Sequence, residues 1–160
     1  MHARLTKMLE HTDRNLDDPI EILLVEDNPG DIRLTREAFK SSSHETRIHP
    51  ITNGDEAVEW LTGQAATDPA SLPDLVLLDL NLPGQDGHTV LETIRNTPGL
   101  EHLPVIILSS SKAGEDINRS YEDNANAYLT KPSDPRDFES VVAAIEGFWF
   151  ENVVHPDPST

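Results

Sequence analysis

The stretch Asp74–Gly87, DLVLLDLNLPGQDG, decides the fold. Its first half is an apolar run between two aspartates, too short for a helix and continuous enough for a strand covered on both faces. Its second half is a loop rich in Gly and Pro. Asp79 stands where run meets loop. A carboxylate there is a loop cap, a calcium ligand or a reactive group, and the local sequence does not choose. Asp79, Asn81 and Gly84 match the first, third and sixth places of an EF-hand loop. The fifth place is Pro83 and the twelfth Val90, neither offering a side-chain oxygen, so calcium is rejected.

Working outward, the same pattern recurs. IEILLV (20–25), TRIHPITNG (46–54), PVIILSS (104–110) and AYLT (127–130) read as further strands. The second belongs at an edge, because Pro50 interrupts it. Between them lie helical segments. NPGDIRLTREAFKSSS has Asn28 to cap, Pro29 for the first turn, and Ile32, Thr35, Ala38 and Phe39 on one face. GDEAVEWLTG turns Ala57, Val58 and Leu61 inward and is expected to end at Gly63, with QAATDPASLP as a loop. HTVLETIRN turns Val90, Leu91 and Ile94 inward, and AGEDINRSYEDN is a poorly apolar fourth helix. DPRDFESVVAAIEGFWF closes the fold with Phe138, Val141, Val142, Ile145 and Trp149 along one side. Five strands alternating with five helices imply right-handed crossovers and an open, doubly wound α/β parallel sheet.

Composition sets limits. The chain has 160 residues, 29 acids against 12 Lys and Arg, and a net charge of −17. Such a surface repels nucleic-acid phosphate. It suits a high-salt, halophilic cytosol, where screening shortens to about 3 Å at molar ionic strength. There is no cysteine, hence no disulfide and no thiolate metal site; this fits a reducing cytoplasm. No apolar run is long enough to cross a membrane. Residues 1–19 read as a flexible arm and 151–160 as a tail. The seven histidines are scattered without metal spacing and read as surface or loop residues.

In an open parallel sheet, ligands sit beyond the carboxyl ends of the strands, where strand order reverses. The strands deliver Glu26 and Asp27, then Asp79, then Ser109, then Lys131 to that edge. Two carboxylates about 4 Å apart repel by about 4 kcal/mol at an effective dielectric near 20. The cluster therefore calls for a proton or a hard divalent cation, and magnesium fits. A carboxylate beside a metal, an ammonium and a hydroxyl can attack phosphorus, which makes Asp79 the nucleophile. Taken singly, each residue has a plainer reading: a solvated turn, a strand-end serine, a surface lysine. Their joint placement outweighs those readings.

The motifs LLVEDN, LVLLDLNLPGQDG, IILSS and YLTKP, in this order, resemble the receiver domains of two-component response regulators. The resemblance covers about residues 20–150 and implies a flavodoxin-like sheet of order 2-1-3-4-5. It implies that Asp79 accepts phosphate. Asp27, Asp79 and the Asn81 carbonyl would bind Mg2+, with Glu26 acting mostly through water. Ser109 would be the switch hydroxyl, Tyr128 the aromatic that turns inward, and Lys131 the ligand of a phosphoryl oxygen. It further implies a cis bond before Pro132. Glu26 departs from the more usual Asp, and Asn124 stands where many relatives carry Gly, a position an Asn tolerates in a left-handed turn. IEGFWF and SSSKAGEDINRSYEDNANAYLTKP resemble single-domain regulators that partner phytochrome-type histidine kinases.

The expected function is a stand-alone phospho-accepting switch and not an enzyme. A histidine kinase would donate the phosphoryl group and a downstream protein would read the surface of the fourth and fifth helices, a face also open to a homodimer. Two rivals remain. One is an aspartyl-phosphate phosphohydrolase, which would need an acid where Asn81 stands. The other is a receiver-like scaffold that never carries phosphate. Two candidate contact surfaces stand out: one aromatic among Phe148, Trp149 and Phe150, and the region of Tyr121 and Tyr128.

Overall fold

A computed structural model describes residues 18–149. The expected arm, tail and Phe150 therefore lie almost wholly outside the described residues. Five strands, β1 (Ile20–Val25), β2 (Thr46–Ile51), β3 (Leu75–Leu78), β4 (Val105–Ser109) and β5 (Ala127–Thr130), form one sheet of order β2-β1-β3-β4-β5. Every neighbouring pair is parallel. Among the described residues five α-helices alternate with them: α1 (Pro29–Phe39), α2 (Gly54–Thr67), α3 (Gly87–Asn96), α4 (Gly114–Glu122) and α5 (Phe138–Trp149). Among the described residues no helix is long and apolar enough to cross a membrane.

Alternation along the strands splits the interior into two cores. Leu23, Val25, Val76, Leu78, Val105 and Ile107 face α2 and α3, where Ala57, Leu61, Val90, Leu91 and Ile94 meet them. Ile22, Leu24, Leu75, Leu77, Ile106 and Leu108 face α1 and α5, where Phe39, Phe138, Val142 and Ile145 meet them. Because β3 sits between β1 and β4 its four residues are all buried, which explains the unbroken apolar run. α4 buries only Ser120, as its sparse apolar content implies.

Two local expectations need correcting. The second helix does not stop at Gly63. It runs to Thr67, and a 3-10 turn (Pro69–Ser71) follows within the segment expected to be loop. A Cβ at Gly63 would meet nothing within 4 Å, so the glycine sits on an open face. Ala65 and Ala66 beyond it favour helix enough to carry the segment on. Nor does Pro50 interrupt its strand: β2 continues through it, with Pro50 opposite Leu24. An edge strand has a neighbour on one side only and can carry a residue without an N–H.

The loop after β3 is fastened at several points. Asp79 N–H continues the ladder to Val25 O at 3.0 Å. The Asp86 side chain caps α3 by accepting from Thr89 N–H at 2.9 Å. Gly87 is required there: a Cβ would stand 2.2 Å from Asp79 O. The first turn of α3 thus rests directly on the backbone at Asp79 and Leu80, just beyond β3. Arg95, near the other end of α3, donates to the carbonyls of Asn124 at 2.9 Å and Leu103 at 2.7 Å, and to Asn126 Oδ1 at 2.9 Å. Asn124 itself has φ 66°, the left-handed turn expected of it.

Candidate functional site

The chain leaves β1 for β2 on one side and returns to β3 on the other, opening a crevice at the carboxyl ends of β1 and β3. Glu26 and Asp27 follow β1 and Asp79 follows β3. One carboxylate oxygen from each of the three lies within 4.8 Å of the others. Glu26 is 2% exposed and Asp79 6%, whereas Asp27 faces solvent. β4 and β5 end beside them. Ser109 is buried opposite Thr130, and Lys131 N–H donates to Ser109 O at 2.8 Å.

Lys131 crosses the crevice. Its ammonium donates to Asp79 Oδ2 at 3.1 Å, to Asp31 Oδ2 at 2.8 Å and to Glu26 Oε1. The other Asp79 oxygen accepts from Asn81 N–H at 3.3 Å. No described peptide bond is cis, so the expected cis bond before Pro132 is not found. Lys131 is aimed instead by its backbone bond to Ser109 and by its three carboxylate partners.

One ammonium faces more carboxylates than it can neutralise. Burial pushes the Glu26 carboxyl up to about 7; the Lys131 hydrogen bond opposes this and Asp79 reinforces it. For Lys131, burial pulls the ammonium down, but hydrogen bonds to Asp31 and Glu26 and the nearby carboxylate charges outweigh it, so its pKa rises. The lysine stays charged, and the excess negative charge is least tolerated on Glu26, the most buried acid. A hard divalent cation fits this oxygen-only donor set, since it would relieve the repulsion that Lys131 leaves.

Asp31 escaped the sequence reading. It lies in the first turn of α1, where an acid is favoured by the helix dipole and draws no notice. Its partner is 100 residues away. The reading of the histidines also needs correcting. His88, in the first turn of α3, is 6% exposed, because α4 packs over it. Its Nε2 lies 3.1 Å from Asp116 Oδ1. Tyr128, the expected switch aromatic, is half-buried and donates from its hydroxyl to Ser111 O at 2.8 Å. Tyr121 stays 51% exposed, its hydroxyl accepting from Tyr128 N–H at 3.2 Å. Trp149 is buried and Phe148 half-buried.

Residues 22–143 match the family described as the response regulator receiver domain. The chain is 40% identical over 138 residues to "Response regulator Rcp1" of Synechocystis, covering 86% of this chain and 94% of that one. Two solved structures are similar at 40% identity. The phosphorylated cyanobacterial phytochrome response regulator RcpA superposes with a TM-score of 0.75, over 84% of this chain and 96% of that one. The Mn2+-bound form of Rcp1 does so with a TM-score of 0.74, over 84% and 97%.

Proposed function

The chain belongs to the response regulator receiver family of two-component signalling, and on that premise we propose that it relays a signal by accepting a phosphoryl group on Asp79. The observation that carries this reading is the meeting of Lys131 Nζ with Asp79 Oδ2 at 3.1 Å, in a crevice that also holds Glu26 and Asp27. That one relative is a phosphorylated phytochrome regulator and another binds Mn2+ supports it.

Asp27, Asp79 and the Asn81 carbonyl would hold magnesium, with Glu26 mostly through water. When bound, the ion supplies positive charge against the carboxylates and the phosphoryl oxygens. An Asp79 oxygen attacks the phosphorus of a kinase phosphohistidine. The O–P bond forms as the P–N bond breaks, and the electron pair leaves on the imidazole, which takes up a proton. Lys131 pairs with one phosphoryl oxygen and Ser109 donates to another. Tyr128 moves with the loop after β4, and α4, β5 and α5 settle into a packing that a downstream protein reads. Phosphorylation has to favour that packing by roughly a few kcal/mol to act as a switch.

The chain is a substrate and a switch. Asn81 cannot serve as the general acid of a phosphohydrolase. The donor is a sensor histidine kinase, of phytochrome type by analogy with the cyanobacterial relatives. The receiver unit spans residues 20–150, and the charge of −17 suits a high-salt cytoplasm.

Incubation with magnesium and acetyl phosphate tests the reading by mass spectrometry. Wild type gains one phosphoryl group and Asp79→Asn gains none. Equal labelling of the Asn variant, or an unlabelled wild type beside an active cognate kinase, would overturn it. A wild type that also fails to bind magnesium would favour the scaffold reading.

A further inference from the structure

Ser111, two residues beyond the switch serine, is a junction. Its backbone N–H donates to Ser109 Oγ at 3.2 Å, and its carbonyl accepts from Tyr128 OH at 2.8 Å. Its own hydroxyl donates to Asp116 Oδ2 at 2.6 Å and accepts from Ala113 N–H at 3.3 Å. The other oxygen of Asp116 meets His88 Nε2 at 3.1 Å. A chain of contacts therefore runs from α3 through α4 to the loop that follows β4 and ends on the Ser109 hydroxyl.

The geometry of that chain has a direction. A hydroxyl that accepts from an N–H keeps its own proton free to donate. With Ser111 N–H on Ser109 Oγ, the Ser109 proton is available for a phosphoryl oxygen. Holding Ser111 in place preserves that arrangement, and Asp116 is the group that holds its side chain. Asp116 is itself partly exposed on α4, a helix that buries only Ser120. Its anchor in the packed part of the molecule is His88. The His88 side chain is 7% exposed and its Nδ1 has no hydrogen-bond partner, so the contact with Asp116 is its polar attachment among the described residues. A buried imidazole with one unpaired nitrogen costs more to fold than an apolar side chain of similar volume would, so stability alone does not account for a histidine here.

We propose that His88 is a positioning residue for phosphoryl recognition, acting through Asp116 and Ser111 to hold the Ser109 hydroxyl ready to donate. This deepens the reading of Asp79 as phosphoacceptor and rests on it. His88 touches neither the phosphoryl group nor the metal carboxylates; it sets the loop that does the recognising.

Beryllofluoride, a phosphoryl mimic, is the probe, titrated in the presence of saturating magnesium and followed by fluorine NMR on the full chain. His88→Leu is expected to weaken beryllofluoride binding about 3- to 10-fold, the effect of losing one hydrogen bond of ordinary strength. His88→Gln, whose amide nitrogen can stand near the position of Nε2, is expected to restore it to within about two-fold. Ser111→Ala is expected to weaken binding similarly, and His88→Leu added to it to cost nothing more, as coupled residues behave. Magnesium affinity stays unchanged in all variants, which separates loop positioning from general loosening of the site. The inference is overturned if His88→Leu binds as wild type, if Gln binds as weakly as Leu, if the two losses add, or if magnesium affinity falls in parallel. A wild type that binds magnesium but no beryllofluoride would instead overturn the phosphoacceptor reading, and this inference with it.

Discussion

Glu26→Gln should make the metal-free protein more stable and the magnesium-binding protein weaker. Glu26 is 2% exposed, and burial lifts its carboxyl from an ordinary 4.5 to about 7. A folded-state pKa above the unfolded value means that folding favours the protonated acid. The stability that the protonated acid contributes is fully present below about 4.5 and is lost as pH rises through about 7. Above that window the folded chain carries a penalty of about 3 kcal/mol, at about 1.36 kcal/mol for each step of pKa. Glutamine resembles the protonated acid and has no such penalty. In EDTA, urea unfolding at pH 8 should give Glu26→Gln an advantage of about 3 kcal/mol, shrinking to near zero at pH 4.5. The other acids are common to both proteins, so the difference reports the Glu26 carboxyl together with its coupling to Asp79 and Lys131. Adding magnesium should reverse the order, because the ion stabilises the folded form that binds it better. If the two proteins keep a constant difference from pH 4.5 to pH 8, or if the Gln variant is the less stable in EDTA at pH 8, the assignment of the excess charge to Glu26 is wrong.

The remaining expectations concern the frame around the site. Gly87→Ala would drive a methyl to within 2.2 Å of Asp79 O, so the start of α3 must shift. A loss of about 3 kcal/mol in urea unfolding is expected, together with weakened magnesium binding. Arg95→Met removes the donor to the Asn124 and Leu103 carbonyls and to Asn126 Oδ1; of these only the Leu103 carbonyl belongs to a buried residue, and Asn126 Oδ1 still accepts from Val105 N–H. It should cost about 1 to 3 kcal/mol with magnesium affinity unchanged, because α3 is freed at the end remote from the site; a variant as stable as wild type would show that solvent satisfies the Leu103 carbonyl equally well.

The elements were legible because their signals are local. The unbroken run Leu75–Leu78 records burial on both faces, and Phe138, Val141, Val142 and Ile145 record one buried helix face. The acid, acid and lysine of the site were legible because strand ends in a parallel sheet converge by topology. The failures have a common cause. Gly63 and Pro50 look like breakers in the sequence, yet an open helix face and an edge position tolerate them. Asp31 and His88 gave no signal, because each acquires its role from a residue far along the chain, Lys131 and Asp116.

The sequence by itself determined which segments are strands and helices, and which chemical groups reach one edge of the sheet. Periodicity and strand-end position are properties of neighbouring residues, so they survive without coordinates. Only the tertiary structure decided how charge is shared among Glu26, Asp31, Asp79 and Lys131, and that His88 lies beneath α4. Electrostatic energy and burial depend on distances between residues that folding brings together, and no stretch of chain contains those distances.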